Sequence, residues 1–456
     1  MSDPAAVFKA YDIRGVVPDE LDTELARAVG NAFVDVAEVL AGGGAVVVGH
    51  DMRATSPALA AAFADGVLAA GADVVDIGLA STDELYFASG RLDLPAAMVT
   101  ASHNPSQYNG IKLCLGGAVP LSGDRGLERM RAQVMSAAIA PSGDRAEPGS
   151  LESRDMLAAY AEHLQQLAPV RGRPLTVVVD AGNGMAGHTA PAVFGGLDVV
   201  LIPLYFELDG TFPHHAANPI DPGNLKDLQV AMLETGADLG LAFDGDADRC
   251  FVVDELARPV APSTVTALIA ARELTREPGA SILYNLITSR AVPQLVLEHG
   301  GVPVRTRVGH SFIKATMART GAIFGGEHSG HYYFRDFWCA DSGMLAALHL
   351  MAALAETDAP LSAVLERFER FSASGEINTA VGDVQGTLAA VERAYSTRAG
   401  ITIDHLDGLT VTAETWWFNV RASNTEPLLR LNAEGDDEAT MARARDEVLE
   451  MIRSDR

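Results

Sequence analysis

The stretch "DLGLAFDGDADR" (Asp238–Arg249) is an apolar run that stops at an acidic loop. "LGLAF" reads as a strand. The loop then lies at the strand's carboxyl end, where α/β sheets place their ligands. The same arrangement recurs on both sides of it. Upstream, "LTVVVDAGNG" (Leu175–Gly184) is a strand entering a Gly-rich turn. Further upstream, "AVVVGHD" (Ala45–Asp51) reads as a buried strand. The stretch "SPALAAAFADGVLAAGA" then reads as a helix, with Ser56 as N-cap and Pro57 at the first helical position. "ADVVDIG" and "AAMVTASHNP" are two more strands. Downstream come "SILYNLITSR" (Ser281–Arg290), a helix, "GVPVRTRVGH", a second helix and "AIFGGEHSGH" (Ala322–His331).

These blocks share an order of strand, helix, strand and polar loop rather than residue identity. That order predicts three related α/β domains. From about Phe371 the pattern changes: "ITIDHLDGLTVTAETWWFNVRASNTEPLLRLNAEG" is strand-rich, "HLDGLTV" is a hairpin-like turn, and a helix closes the chain. The expected fold is therefore α/β, with a smaller C-terminal α+β domain and domain limits at 1–148, 149–255, 256–370 and 371–456. "APSGDRAEPGS" (Ala140–Ser150) is the candidate linker between the first two domains, and "ASGEIN" has linker composition before the last.

Bulk properties agree. A chain of 456 residues, 48% hydrophobic and 21% charged, is expected to form several domains with real cores. A net charge of -26 repels nucleic-acid phosphates and anionic membranes, so neither is an expected partner. An anionic small substrate requires a locally basic site. Cys114, Cys250 and Cys339 are widely spaced and read as reduced thiols. "MSDPAAVFKAYD" has no signal-peptide pattern, and "GMLAALHLMAALA" is too short for a bilayer span, so a cytoplasmic location is expected.

Four motifs can carry chemistry. In "DGDADR", Asp244, Asp246 and Asp248 alternate, which lets all three carboxylates face one centre suited to Mg²⁺ or Ca²⁺, with a solvated acidic turn as the plainer alternative. The register from Asp244 to Glu255 resembles a calcium-binding helix–loop–helix, but Arg249 stands where that loop demands glycine, and "CFVVD" reads as a returning strand. In "TASHNP", Ser102 follows a strand and His103 follows it. A serine hydroxyl becomes a nucleophile when a neighbour takes its proton; a capped turn is the plainer reading of the dipeptide alone. "GGEHSGHYYF" offers Glu327, Ser329 and His331 at alternate positions, suited to vicinal sugar hydroxyls, with zinc ligation by Glu327, His328 and His331, or a merely structural polar turn, as the alternatives. "RASNTEP" offers Arg421, Ser423, Asn424 and Thr425, a cradle for a phosphate dianion, with a satisfied polar turn as the alternative for the motif alone. Tyr11 and Arg14 in "YDIRG", Lys112 after "YNG", and His310 and Lys314 in "GHSFIK" add polar and basic groups. A hydroxyl nucleophile, a metal cage, several bases and a phosphate cradle are together the equipment of phosphoryl transfer.

"TASHNP", "DGDADR", "GEHSGH" and "RASNTEP", in this order along the whole chain, resemble the α-D-phosphohexomutase superfamily, in its phosphomannomutase/phosphoglucomutase branch. The resemblance implies four domains around a central active-site cleft. It implies that Ser102 carries a phosphoryl group and, as phosphoserine, completes a Mg²⁺ site with Asp244, Asp246 and Asp248. Arg249 would sit beside the metal loop. Glu327 and Ser329 would grip the sugar O3 and O4. Arg421, Ser423, Asn424 and Thr425 would hold the phosphate that is not reacting. Tyr11, Arg14, His103, Lys112, His310 and His331 match further active-site positions. The implied cofactors are Mg²⁺ and, as activator, glucose 1,6-bisphosphate or mannose 1,6-bisphosphate. The implied partners are sugar phosphates, on a monomer or homodimer. Related enzymes often carry a lysine in the loop matching "NLITSR"; here Arg290 follows instead. Phosphoglucosamine mutases and a catalytically inactive sugar-phosphate binding protein are the competing readings.

Overall fold

The computed structural model describes residues 4–9, 11–41, 44–121, 126–136, 148–422 and 428–453, without the side chains of residues 4, 310 and 311. The expected linker lies outside the described residues as far as Glu147, as do Ser423, Asn424 and Thr425. The chain forms two compact units, Met1–Pro262 with Ser329–Val364, and Ser263–His328 with Leu365–Arg456.

The first unit opens with strands β1 (Ile13–Val16), β2 (Ala45–His50), β3 (Asp73–Leu79), β4 (Ala96–Val99), β5 (Tyr108–Leu115), β6 (Val119–Pro120) and β7 (Leu151–Ser153). They form one sheet in the order β1-β5-β4-β2-β3-β7, with β6 against β5. β4, β2, β3 and β7 run parallel, and β5 returns antiparallel to β4. The helices Thr23–Val36 and Ser56–Ala69 lie against each other. Two glycines permit that approach: a Cβ on Gly30 would meet the Phe63 carbonyl oxygen at 2.1 Å, and one on Gly66 the Arg27 oxygen at 2.0 Å. Phe33, Phe63, Val48 and Val99 share the core beneath. The expected N-cap at Ser56 needs correcting. Ser56 is the first helical residue and Thr55 the cap, because the Ser56 hydroxyl is taken by Asp51 Oδ1 at 2.5 Å.

The second sheet contains β8 (Leu175–Asp180), β9 (Val199–Leu204), β10 (Leu239–Phe243), β11 (Cys250–Val253) and β12 (Pro259–Val260), in the order β12-β11-β10-β8-β9. β8 is parallel to β9 and β10, and β11 is antiparallel to β10. The acidic loop therefore joins two strands, which excludes the helix–loop–helix alternative.

In the second unit, β13 (Ser281–Asn285) lies parallel between β14 (Val302–Thr306) and β15 (Phe324–Gly326). The chain then returns to the first unit as the hairpin β16 (Tyr332–Phe334) and β17 (Ala340–Asp341). The helix Gly343–Ala355 follows and buries every residue except Ala353, which is why its sequence is apolar on all sides. Among the described residues no helix is long and apolar enough to cross a membrane.

The C-terminal sheet is β18 (Ser372–Ala380), β19 (Thr402–Asp404), β20 (Leu409–Thr412), β21 (Trp416–Ala422) and β22 (Leu428–Gly435), ordered β18-β22-β21-β20-β19 with antiparallel pairings. Tyr395 and Val448, from the helices Val384–Ser396 and Glu438–Arg453, share its core with Phe418 and Leu431. This is the α+β domain expected. "ASGEIN" is not a linker: it lies within β18, hydrogen-bonded to β22 across an irregularity between Ala373 and Glu376.

Candidate active site

Ser102 sits three residues beyond the end of β4, with φ +50°, a left-handed conformation uncommon for a residue bearing a side chain. Its amide is anchored on Thr100 Oγ1 at 2.9 Å. Its hydroxyl donates to Asp244 Oδ2 at 2.8 Å and lies 3.1 Å from His103 Nδ1. With its proton committed to the carboxylate, the Ser102 oxygen is left to accept from the imidazole. Arg249 first, and burial second, hold His103 well below the usual imidazole range, so the ring is neutral near pH 7. Arg14 bridges Asp12 and Asn104 Oδ1, one residue further along the same loop. Tyr11, three residues before Arg14, is half-buried.

Asp244, Asp246 and Asp248 are all buried, and each offers a carboxylate oxygen within 4.8 Å of the others. Three such charges repel, and the surroundings decide how they settle. Burial, then Asp248 and Asp246, push Asp244 well above the ordinary carboxylate range. Burial also pushes Asp246 upward, but the Lys112 ammonium outweighs it and the net shift is downward. Lys112 Nζ lies 2.6 Å from both Asp246 Oδ2 and Asp248 Oδ2, and Thr82 Oγ1 donates to Asp246 Oδ2 at 2.5 Å. The Arg249 amide donates to Asp244 Oδ1 at 3.1 Å.

Arg249 Nε also reaches His331 Nε2 at 3.2 Å. A guanidinium only donates, so Nε2 accepts and the ring proton is on Nδ1, which donates to Ser329 Oγ at 2.7 Å. Burial, then Arg249, lower His331 to about 4, so this ring is neutral too. The first unit thus brings together Ser102, His103, Lys112, Arg249, Ser329, His331 and the three aspartates.

The second unit holds the other candidates. Glu327 is buried at the end of β15, and its Oε1 accepts from Asn285 Nδ2 and from the Gly309 amide, each at 3.1 Å. Arg421, in β21, donates to Glu376 Oε2 at 2.8 Å, and Arg430 donates to the other oxygen at 2.9 Å. His310 opens the helix His310–Thr320, and Lys314 is buried within it. Arg290 is committed to Glu434 at 3.2 Å and Asp436 at 3.1 Å and stacks on Phe371.

Three residues around the Ser102 loop and the aspartates had no role assigned from the sequence: Asp51, Arg53 and Thr82; in the second unit Asn285, beside Glu327, is another. The one local signal was charge ending a buried strand, in "GHDMR".

A serine between a carboxylate and an imidazole, beside a carboxylate cluster suited to a divalent cation, on repeated α/β sheets, is equipment suited to phosphoryl transfer. Comparison with known proteins narrows it. Residues 5–136, 158–257 and 262–371 match the models of phosphoglucomutase/phosphomannomutase alpha/beta/alpha domains I, II and III, and residues 376–451 that of the C-terminal domain. The chain is 39% identical to a phosphomannomutase of Escherichia coli, over 98% of this chain and 99% of that one. It is 36% identical to the phosphomannomutase/phosphoglucomutase of Pseudomonas aeruginosa, over 96% and 94%. A solved phosphoglucomutase/phosphomannomutase family protein from Burkholderia thailandensis superposes with a TM-score of 0.90 at 35% identity, covering 100% and 98%. The chain belongs to the phosphoglucomutase/phosphomannomutase family of the α-D-phosphohexomutase superfamily. It is a phosphohexomutase.

Proposed function

We propose that this chain interconverts hexose 6-phosphate and hexose 1-phosphate, with mannose and also glucose as the hexose, through a phosphoserine at Ser102 and a hexose 1,6-bisphosphate. The observation that carries the reading is the 2.8 Å contact of Ser102 Oγ with one of three clustered, buried carboxylates.

The residues fit a divalent cation. Asp246 Oδ1 and Asp248 Oδ1 are buried and have no hydrogen-bond partner among the described residues. Asp244, Asp246 and Asp248, with the phosphorylated Ser102, would hold Mg²⁺. When bound, it supplies positive charge that offsets the charge of the transferring phosphoryl group. The rest follows from the chain's own groups. In the forward half-reaction a sugar hydroxyl attacks phosphoserine: the new P–O bond forms as the Ser102 P–O bond breaks, and the proton the sugar hydroxyl loses is matched by the one Ser102 Oγ gains, so Ser102 ends as a free hydroxyl. Ser102 Oγ, the leaving oxygen, lies beside the His103 nitrogen, which stabilises it by donating. In the second half-reaction the other phosphate of the bisphosphate returns to Ser102. Lys112, Arg249 and Arg14 supply the local positive charge an acidic chain needs to attract an anion. Glu327 and Ser329 suit O3 and O4, which exchange places when the sugar turns over. Tyr11 and His310 stand as further contacts, with Arg421, Ser423, Asn424 and Thr425 as the cradle for the distant phosphate.

Mannose and glucose differ only at C2. A site that grips O3 and O4 discriminates weakly there, so activity on both is expected. A coupled assay on mannose, glucose and glucosamine 1-phosphates, with and without glucose 1,6-bisphosphate, tests this. Turnover of the first two, stimulated by the activator, is the expected result. Preference for glucosamine 1-phosphate would make the chain a phosphoglucosamine mutase, and no turnover of any would leave a binding protein. Arg421→Ala is expected to raise KM roughly tenfold to a hundredfold with kcat little changed, because it removes a charged fork from the non-reacting phosphate; an unchanged KM in steady-state kinetics contradicts the cradle. We further propose the domain limits 1–148, 149–255, 256–370 and 371–456; four family spans, 5–136, 158–257, 262–371 and 376–451, support a four-domain order. The working form is a cytoplasmic monomer or homodimer.

A further inference from the structure

The loop carrying Ser102 has little regular structure to hold it, yet its nucleophile is fixed in a left-handed conformation. One side chain gathers that loop. Arg53, 1% exposed, sends Nη2 to the carbonyl oxygens of Ser102 (2.8 Å) and Asn104 (2.6 Å), and Nη1 to those of Pro105 and Tyr108 (both 2.9 Å). Four carbonyls of one seven-residue segment thus converge on a single guanidinium. The fork is itself braced. Asp51 Oδ2 lies 3.3 Å from Arg53 Nε, while Asp51 Oδ1 accepts from the Arg53 amide at 3.0 Å and from Ser56 Oγ. The Asp51 amide donates to the Val99 carbonyl at 3.0 Å, so the brace is tied to the strand that delivers Ser102. Phe212 lies over the outer face of the guanidinium, 5.1 Å from ring centre to Arg53 Cζ.

We infer that Arg53 is a positioning residue for phosphoryl transfer: its guanidinium, oriented by Asp51, sets the Ser102 loop so that Oγ meets Asp244. The inference rests on Ser102 being the phosphoryl carrier. Arg53 itself touches neither the reacting oxygen nor any group assigned to the sugar. A residue that only held the fold together would, when altered, lower the amount of native enzyme; one that sets the nucleophile lowers the rate of each native molecule. Lysine keeps the charge but has no planar fork, so it cannot satisfy the carbonyls in the same geometry.

The test compares wild type, Arg53→Lys and Asp51→Asn for kcat, KM, thermal midpoint, and the rate at which glucose 1,6-bisphosphate phosphorylates Ser102, followed by intact mass. For Arg53→Lys, a fall of about 100-fold in kcat and in phosphorylation rate is expected, with KM within about threefold, as for a nucleophile displaced by about an ångström. Asp51→Asn is expected to show a smaller fall of the same kind, and it carries the test if Arg53→Lys does not fold. For Arg53→Ala, added methylguanidinium is expected to restore at least about tenfold of the lost rate. A kcat per folded molecule within about threefold of wild type in the folded variants overturns the inference. A wild type that takes no phosphoryl group on Ser102 overturns both this inference and the mutase reading. A wild type and Arg53→Lys that are phosphorylated equally fast overturn only the inference.

Discussion

Ser102→Ala is expected to lower kcat by at least about 10⁴-fold and to abolish the mass increment of about 80 Da that a phosphoserine adds. The size follows from the absence of a substitute. The hydroxyl is the group placed between Asp244 and His103, and alanine leaves both without the atom that would bond to phosphorus. Water in its place would hydrolyse a phosphate ester rather than store it, so the product would be free phosphate, not an isomer. The fold is expected to survive. Ser102 is almost fully buried, its amide keeps the Thr100 contact, and an alanine bears the same backbone cost at φ +50° as a serine. A variant that melts normally and binds sugar phosphate, yet does not turn over, is the signature of a lost nucleophile. A rate near wild type would remove Ser102 from the mechanism.

Asp246→Asn is expected to lower kcat by roughly 10³-fold and to raise the Mg²⁺ concentration for half-maximal activity at least about tenfold. Lys112, acting against burial, holds the Asp246 carboxyl below the usual range, so it is ionised and carries negative charge toward a cation. Asparagine keeps the shape and can still accept from Thr82, which sits at the start of the helix Thr82–Leu92. It loses one of the two negative charges that Lys112 bridges and one of the three in the cage. Titration of Mg²⁺ against rate, with direct binding by calorimetry, checks both halves. An unaltered metal requirement would place the cation elsewhere.

The parts legible in the sequence are those whose cause is local. The run "LGLAF" announced β10, and the alternate spacing of Asp244, Asp246 and Asp248 announced carboxylates able to converge. Family resemblance supplied roles that spacing alone left open. What escaped notice depends on contacts between distant residues. Arg53 and the Ser102 carbonyl are separated by 49 positions, and Ser102 and Asp244 by 142, and no periodicity encodes either. The two misread elements have the same origin. "ASGEIN" has the small and polar composition of a linker, but hydrogen bonds to β22 make it a strand, since strand pairing overrides local propensity. Ser56 has the side chain of an N-cap, but Asp51 competes for its hydroxyl.

The central claim is that a serine accepts and returns a phosphoryl group only while a divalent cation sits among the three aspartates. Its most direct test is peptide mass spectrometry of the wild-type enzyme after incubation with glucose 1,6-bisphosphate, once with Mg²⁺ and once with excess chelator. The predicted result is rapid phosphorylation confined to Ser102 with the cation, and little or none without it. Phosphorylation on another residue, or equally fast labelling of Ser102 in chelator, would contradict the account.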